Sequence, residues 1–218
     1  MNFVVSYSCG KDSSMALWKM LQKGHKLVGL VVSFSKNNNR SFFHGVSRHF
    51  LEEYAKTLGT KLFVAEIGSG EDYDAVYEKA LQEAKKNGAD TVVFGDIDIV
   101  GHREWDTERA ENVGLKAEFP LWHINRRENV EECLQCGIKA VITCVDTEKL
   151  SRDYLGKILN KEMLQDFENV GIDVCGENGE YHTMVIDAPM FKFPLQYKLG
   201  RIRENSQWPV IEVLECEA

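Results

Sequence analysis

Short apolar runs alternate with amphipathic stretches from Phe3 to Phe119, and this alternation constrains the fold more than any other feature. Phe3–Ser6, Leu27–Phe34, Leu62–Ala65, Thr91–Phe94 and Lys116–Phe119 read as strands. Asp12–Lys23, Ser47–Leu58, Tyr73–Asn87 and Glu104–Val113 read as helices, and Gly24, Gly59, Gly88 and Gly114 stand where helices stop. Leu27–Phe34 is nearly all apolar, as a strand covered on both faces must be. The pattern predicts an α/β fold with a doubly wound parallel sheet. Ligands of such sheets bind beyond the carboxyl ends of the strands. That points to the segments Ser8–Ser13, Ser33–His44, Ile67–Asp72 and Gly95–Arg103.

After Trp122 the texture changes. Glu128–Cys136 and Lys161–Asn169 read as helices; Ala140–Val145, Met184–Ile186, Gln196–Ile202 and Val210–Leu214 read as strands. We place a boundary here, giving a first domain over residues 1–124 and a smaller α+β domain over residues 125–218. The apolar C-terminal strands suit a homodimer interface and a core equally well.

The 218 residues carry a formal net charge of −8, which argues against nonspecific nucleic-acid binding. A local basic patch of Lys192, Lys198, Arg201 and Arg203 stands apart from that balance. No run approaches a membrane span, and the short apolar start is interrupted by Lys11-Asp12, unlike a secretory signal. These features predict a cytoplasmic protein. The six cysteines are scattered through a chain that needs no staples, so reduced thiols are expected. Cys133-Leu-Gln-Cys136 lacks a second pair and reads as ordinary thiols on a helix.

The turn Ser8-Cys-Gly-Lys-Asp-Ser13 joins the first strand to the first helix. Gly10 permits close backbone approach. The helix N-terminus and the loop N–H groups suit an anion, with Ser8 and Ser13 adding hydroxyls and Lys11 a charge. Asp12 would repel phosphate unless Mg2+ bridges the two; it also suits a helix cap.

This loop resembles the S-x-G-x-D-S pyrophosphate loop of the ATP pyrophosphatases. Phe43-His-Gly-Val46, Gly95-Asp-Ile97, Phe119-Pro-Leu-Trp122, Ile142-Thr-Cys-Val-Asp146, Gly176-Glu-Asn-Gly-Glu-Tyr-His-Thr183 and Asp187-Ala-Pro-Met-Phe191 extend the likeness over nearly the whole chain. Together they resemble the diphthine–ammonia ligase family of archaea and eukaryotes, with Asn178 and His182 in the form of its bacterial relatives. The resemblance implies a Rossmann-like, adenine nucleotide alpha hydrolase-like fold. It implies ATP and Mg2+ as cofactors, and a carboxylate substrate adenylated by ATP. Ammonia then displaces AMP, and pyrophosphate is the other product.

On this likeness Ser8, Gly10, Lys11, Asp12 and Ser13 hold the phosphates, with Asp12 as the Mg2+ ligand. Ser33 lies where adenine binds, and His44, Gly95, Asp96 and Arg103 complete the nucleotide or substrate contacts. Lys11 neutralises developing charge, while Glu177, Glu180 and His182 handle the protons of ammonium. Two other readings stay open at this level: a tRNA-thiolating enzyme of the same superfamily, using Cys133, Cys136 or Cys144, and a non-catalytic ATP-binding sensor.

Overall fold

The computed structural model describes residues 1–203 and 207–216. The chain divides into two compact units, one of Met1–Ser8 and Asp12–His123, the other of Cys9–Lys11 and the residues from Ile124 onward.

The first unit runs β1 (Asn2–Ser6), α1 (Lys11–Gln22), β2 (Lys26–Ser35), β3 (Arg40–Ser41), α2 (Arg48–Leu58), β4 (Lys61–Ile67), α3 (Tyr73–Lys86), β5 (Thr91–Val93), α4 (Val100–Asn112) and β6 (Lys116–Glu118). Its parallel strands lie in the order β4-β2-β1-β5-β6, and β3 adds an antiparallel stub to the end of β2. The order reverses between β1 and β5, which opens a crevice beyond their carboxyl ends.

Period-two alternation assigns the two faces. Val4, Val31, Phe63, Ala65 and Val92 share one core with Tyr77, Leu81 and Ala84 of α3 and Ala110 of α4. Phe3, Val5, Leu30 and Val32 are buried on the opposite face. There Tyr7 sets its ring edge-on to Tyr54 of α2 at 5.3 Å and bonds Ser14 of α1 at 2.9 Å. Helices therefore cover both faces, and the expected doubly wound α/β sheet is present.

Caps set the helix ends. Ser47 accepts from the Phe50 N–H before α2, and Asp72 accepts from the Asp74 and Ala75 N–H groups before α3. The expected fourth helix starts at Glu104, but α4 begins at Val100. Its first turn contains valine and glycine, both weak helix formers, and Ile99 offers no side-chain cap, so local signals conceal it. His102 and Arg103 therefore sit on a helix rather than in the loop.

The second unit contains α5 (Arg126–Gln135), β7 (Lys139–Val145), a 3-10 turn (Arg152–Tyr154), α6 (Lys161–Val170), β8 (Tyr181–Asp187), β9 (Tyr197–Arg203) and β10 (Val210–Glu215). The strands form an antiparallel sheet in the order β8-β7-β10-β9. β8 starts earlier than its apolar text suggests, because Tyr181, His182 and Thr183 pair with Val145, Cys144 and Ile142. Arg201 and Arg203 of the basic patch both pair with Glu212. Among the described residues no helix is long and apolar enough to cross a membrane.

Candidate active site

In the first unit the predicted residues gather at the carboxyl edge of the parallel sheet. Ser8 follows β1, Ser33 lies near the end of β2, and Gly95 and Asp96 follow β5. The Ser8 and Ser13 hydroxyls meet at 3.1 Å across the turn into α1. A Cβ on Gly95 would stand 2.8 Å from the Ser13 nitrogen and 2.9 Å from the Asp12 carbonyl carbon. The loop after β5 thus lies directly on the start of α1, an approach that only glycine allows. Asp12, in the first turn of α1, is half-buried and offers a hard carboxylate oxygen suited to Mg2+.

The end of β2 is built around Ser33. Its hydroxyl bonds that of Tyr73 at 2.7 Å, and its carbonyl accepts the Phe42 N–H at 3.1 Å. Phe42 meets Tyr73 edge-on at 5.5 Å, so the turn that carries His44 is fastened beside Ser33. Sequence reading did not find Tyr73; its only signal was an aromatic residue opening a helix after a loop.

Asp96 accepts from His102 Nδ1, in the first turn of α4, at 3.2 Å. Asp106 is only 7 % exposed, and burial together with the neighbouring Asp96 charge pushes its carboxyl up to about 9. Asp106 too went unnoticed in the sequence. The available signal was its spacing from Ala110 and Val113, which puts an acid on the apolar face of α4. Arg103 lies over Trp122 at 4.6 Å and Phe119 at 5.3 Å, which fixes the guanidinium plane without using its N–H donors.

The second unit contains the remaining predicted residues. Cys9 has φ +73°, an uncommon conformation for a non-glycine residue, and it turns the chain sharply into α1. β8 holds this turn: Val185 N–H donates to the Cys9 carbonyl at 2.9 Å, and Lys11 N–H donates to Thr183 Oγ1 at 3.2 Å. Lys11 is 4 % exposed; its ammonium donates to the Cys175 carbonyl and lies 5.5 Å from the Tyr181 ring centre. Burial and the Lys11 charge lower the pKa of His182, so its imidazole is neutral at pH 7.

Glu180 is 3 % exposed and its carboxylate is turned into its own loop. One oxygen accepts the Asp173 N–H at 3.4 Å and the other the Asn178 N–H at 3.0 Å. Gly176 and Gly179 take positive φ to close that loop, and Arg126 ties Asp173 and Asn178 from outside. The sequence suggested proton handling for Glu180; the geometry makes it the internal fastening of the loop. Glu177 remains half-buried on the same loop, its N–H bonded to Asp173 at 3.1 Å. Glu180→Ala strands two backbone donors and is expected to cost about 2–4 kcal/mol of stability. Denaturant unfolding measures this, and an unchanged midpoint would contradict the fastening role.

These residues suit a nucleotide. In the first unit the start of α1 carries the Ser8 and Ser13 hydroxyls, with Gly95 packed against its backbone.

Comparison with known proteins follows the same division. Residues 1–117 match the family model described as Diphthamide synthase N-terminal domain, and residues 125–215 the one described as Diphthamide synthase C-terminal domain. The chain is 26 % identical over 213 residues to a diphthine–ammonia ligase of Rattus norvegicus, covering 85 % of this chain and 78 % of that protein. It is 25 % identical to the diphthine–ammonia ligase of Homo sapiens over the same length and coverage. The Schizosaccharomyces pombe diphthine–ammonia ligase is 26 % identical, over 96 % of this chain but 38 % of its own length. A crystal structure of a predicted subunit of tRNA methyltransferase from Methanocaldococcus jannaschii is 16 % identical, with a TM-score of 0.45, covering 87 % of this chain and 98 % of that one.

Proposed function

We propose, from the premise that this chain belongs to the diphthamide synthase family, that it forms an amide by adenylating a substrate carboxylate and displacing AMP with ammonia. The chain is an ATP-dependent amide ligase, as its relatives named diphthine–ammonia ligase indicate. The order of steps and the residue roles are our reading.

The observation that carries it is Lys11. A cation at the start of a helix opposes the macrodipole, and its burial costs further free energy. An anionic ligand offsets both. With ATP bound, loop N–H groups, Ser8, Ser13 and Lys11 hold the β and γ phosphates as the leaving pyrophosphate. A carboxylate oxygen of the substrate attacks the α-phosphorus, the bond from that phosphorus to the bridging oxygen breaks, and an acyl adenylate forms. Asp12 would hold Mg2+, which would supply charge neutralisation for the phosphates. Gly95, Asp96 and Arg103 line the nucleotide and substrate side, and Ser33 and His44 the adenine side. Ammonium gives a proton to neutral His182 or to Glu177; ammonia then attacks the acyl carbon, AMP departs with the bonding electrons, and the attached nitrogen loses one further proton to solvent to give the amide.

The test supplies ATP, magnesium and ammonium, with a diphthine-bearing protein in one arm and a deproteinised cell extract in another. Phosphorus NMR then follows the products. AMP and pyrophosphate that appear only with a carboxylate present support the reading. ADP and orthophosphate, or nucleotide binding without turnover in either arm, overturn it.

The thiolating alternative finds poor chemistry in the cysteines. Burial and the nearby Asp146 push the Cys144 thiol up to about 11, and burial raises Cys9 as well. Cys133 is buried, and the Cys136 thiol donates to the Cys133 carbonyl at 3.2 Å. Serine at 133, 136 or 144 is expected to leave turnover within about twofold of wild type, since no thiolate is required. A loss of a hundredfold at any of them, measured in the same assay, would favour sulfur transfer instead.

A further inference from the structure

Arg103, near the start of α4, carries a guanidinium that is held in place by rings rather than by an anion. Its central carbon lies 4.6 Å from the Trp122 ring centre and 5.3 Å from that of Phe119. Acids stand close in sequence, yet Asp96 accepts from His102 and Glu108 pairs with Arg109. Among the described residues none accepts a hydrogen bond from the Arg103 side chain, which is exposed.

The aromatic shelf beneath it is itself fixed, and all of it belongs to the first unit. Phe119 stacks on Phe94 at 5.3 Å and meets Trp122 edge-on at 6.0 Å. The Trp122 N–H donates to the Phe119 carbonyl at 3.1 Å, and the His123 N–H to the Ile97 carbonyl at 2.7 Å. The segment after β6 is thereby tied to the loop after β5. Aromatic faces of this kind bind cations, and here the chain's own arginine takes the face. What the shelf offers a ligand is therefore a set of N–H donors. The indole Nε1–H of Trp122 is a further donor at the same place, buried and with no acceptor among the described residues.

We infer that Arg103 is a substrate-binding residue for a carboxylate other than the one activated, so that the substrate is at least a diacid. This rests on the proposed ligase reading and names the substrate class of that site. A guanidinium fork engages both oxygens of a carboxylate. The carboxylate that attacks phosphorus must keep an oxygen lone pair free for the new bond, so the forked group is a second one. Stacking on Trp122 and Phe119 orders the arginine before the ligand arrives, which lowers the entropy lost on binding. A nucleotide phosphate shares this oxyanion chemistry, and the test separates the two.

In a binding arm, nitrogen-edited NMR follows the Arg103 Nε–H signal, identified by its loss in Arg103→Met, as propionate or magnesium–ATP is added. Propionate is expected to shift the signal saturably with a Kd of about 10 mM or below, with or without ATP present. ATP alone should leave it in place. Propionate that fails to saturate the signal overturns the proposal. So does a shift by ATP that blocks propionate, which would make the anion a phosphate.

In a turnover arm, release of AMP and pyrophosphate is compared for wild type, Arg103→Met and Arg103→Lys with the extract or the diphthine-bearing protein. Methionine keeps an apolar stem over the rings. It should raise KM for the carboxylate substrate about 10- to 100-fold, the loss of one or two hydrogen bonds to a charged group, and leave KM for ATP within about twofold. Lysine should recover only part of this, because it lacks the fork. Equal substrate KM in all three proteins overturns the proposal, as does a small-molecule amide product with no remaining acid group. Wild type that turns over neither substrate overturns the functional reading, and the substrate role with it, even where propionate binds.

Discussion

Lys11→Met is expected to fold and to cleave ATP about 10²–10³-fold more slowly than wild type. Methionine retains most of the apolar stem in a site where Lys11 is 4 % exposed, so packing changes little. What disappears is the positive charge at the turn into α1. Charge developing on the phosphates then lacks that cation, and the loss is expected to fall on kcat more than on nucleotide affinity. The Cys175 carbonyl loses a donor, which costs about 1 kcal/mol of stability and must be read alongside the kinetics. The measurement is kcat and KM for ATP with a melting curve of the same sample. Wild-type kcat in a folded Lys11→Met protein would remove Lys11 from the chemistry and with it the observation on which the proposed function rests.

Gly95→Ala is the second large effect. The added methyl meets the Ser13 nitrogen at 2.8 Å and the Asp12 carbonyl carbon at 2.9 Å, backbone on both counts. Neither can rotate aside, so the loop after β5 or the start of α1 must shift. Overpacking of this kind costs about 1–3 kcal/mol. A displacement of the phosphate turn should weaken ATP binding by about 10- to 100-fold, equivalent to about 1.4–2.8 kcal/mol. Gly101 gives an internal control in the same stretch. It lies in α4, and a Cβ added there would meet nothing within 4 Å. Gly101→Ala should therefore leave ATP binding unchanged and stabilise α4 by up to about 1 kcal/mol. Equal ATP affinities for the two alanine variants would show that the close approach at Gly95 has no bearing on the site.

The sheet strands were legible because each combines an apolar run with a glycine-bounded helix, signals that depend on neighbours a few residues apart. Leu27–Phe34 and β2 (Lys26–Ser35) differ by one residue at each end. The first turn of α4 was not legible, since Val100 and Gly101 carry no helix signal and the turn is stabilised by its surroundings. The same holds for His182, which lies outside the expected strand Met184–Ile186 but is drawn into β8 by pairing with Cys144.

The candidate site divides along the same line. The turn Ser8–Ser13 announces an anion site by residue type and order, which one chain segment can encode on its own. The two glutamates of residues 177–180 looked alike in sequence, and only folding separates them. Glu180 turns inward because Asp173 and Asn178 present N–H groups to it, while Glu177 does not enter that bond set. Tyr73 acquires meaning from Ser33, which lies 40 residues away in the chain. The sequence by itself therefore determined the layer order and the donor groups of the turn Ser8–Ser13, both local patterns of polarity and residue type. Tertiary structure decided which carboxyl groups are buried or bonded, because burial and hydrogen-bond partners are supplied by distant segments.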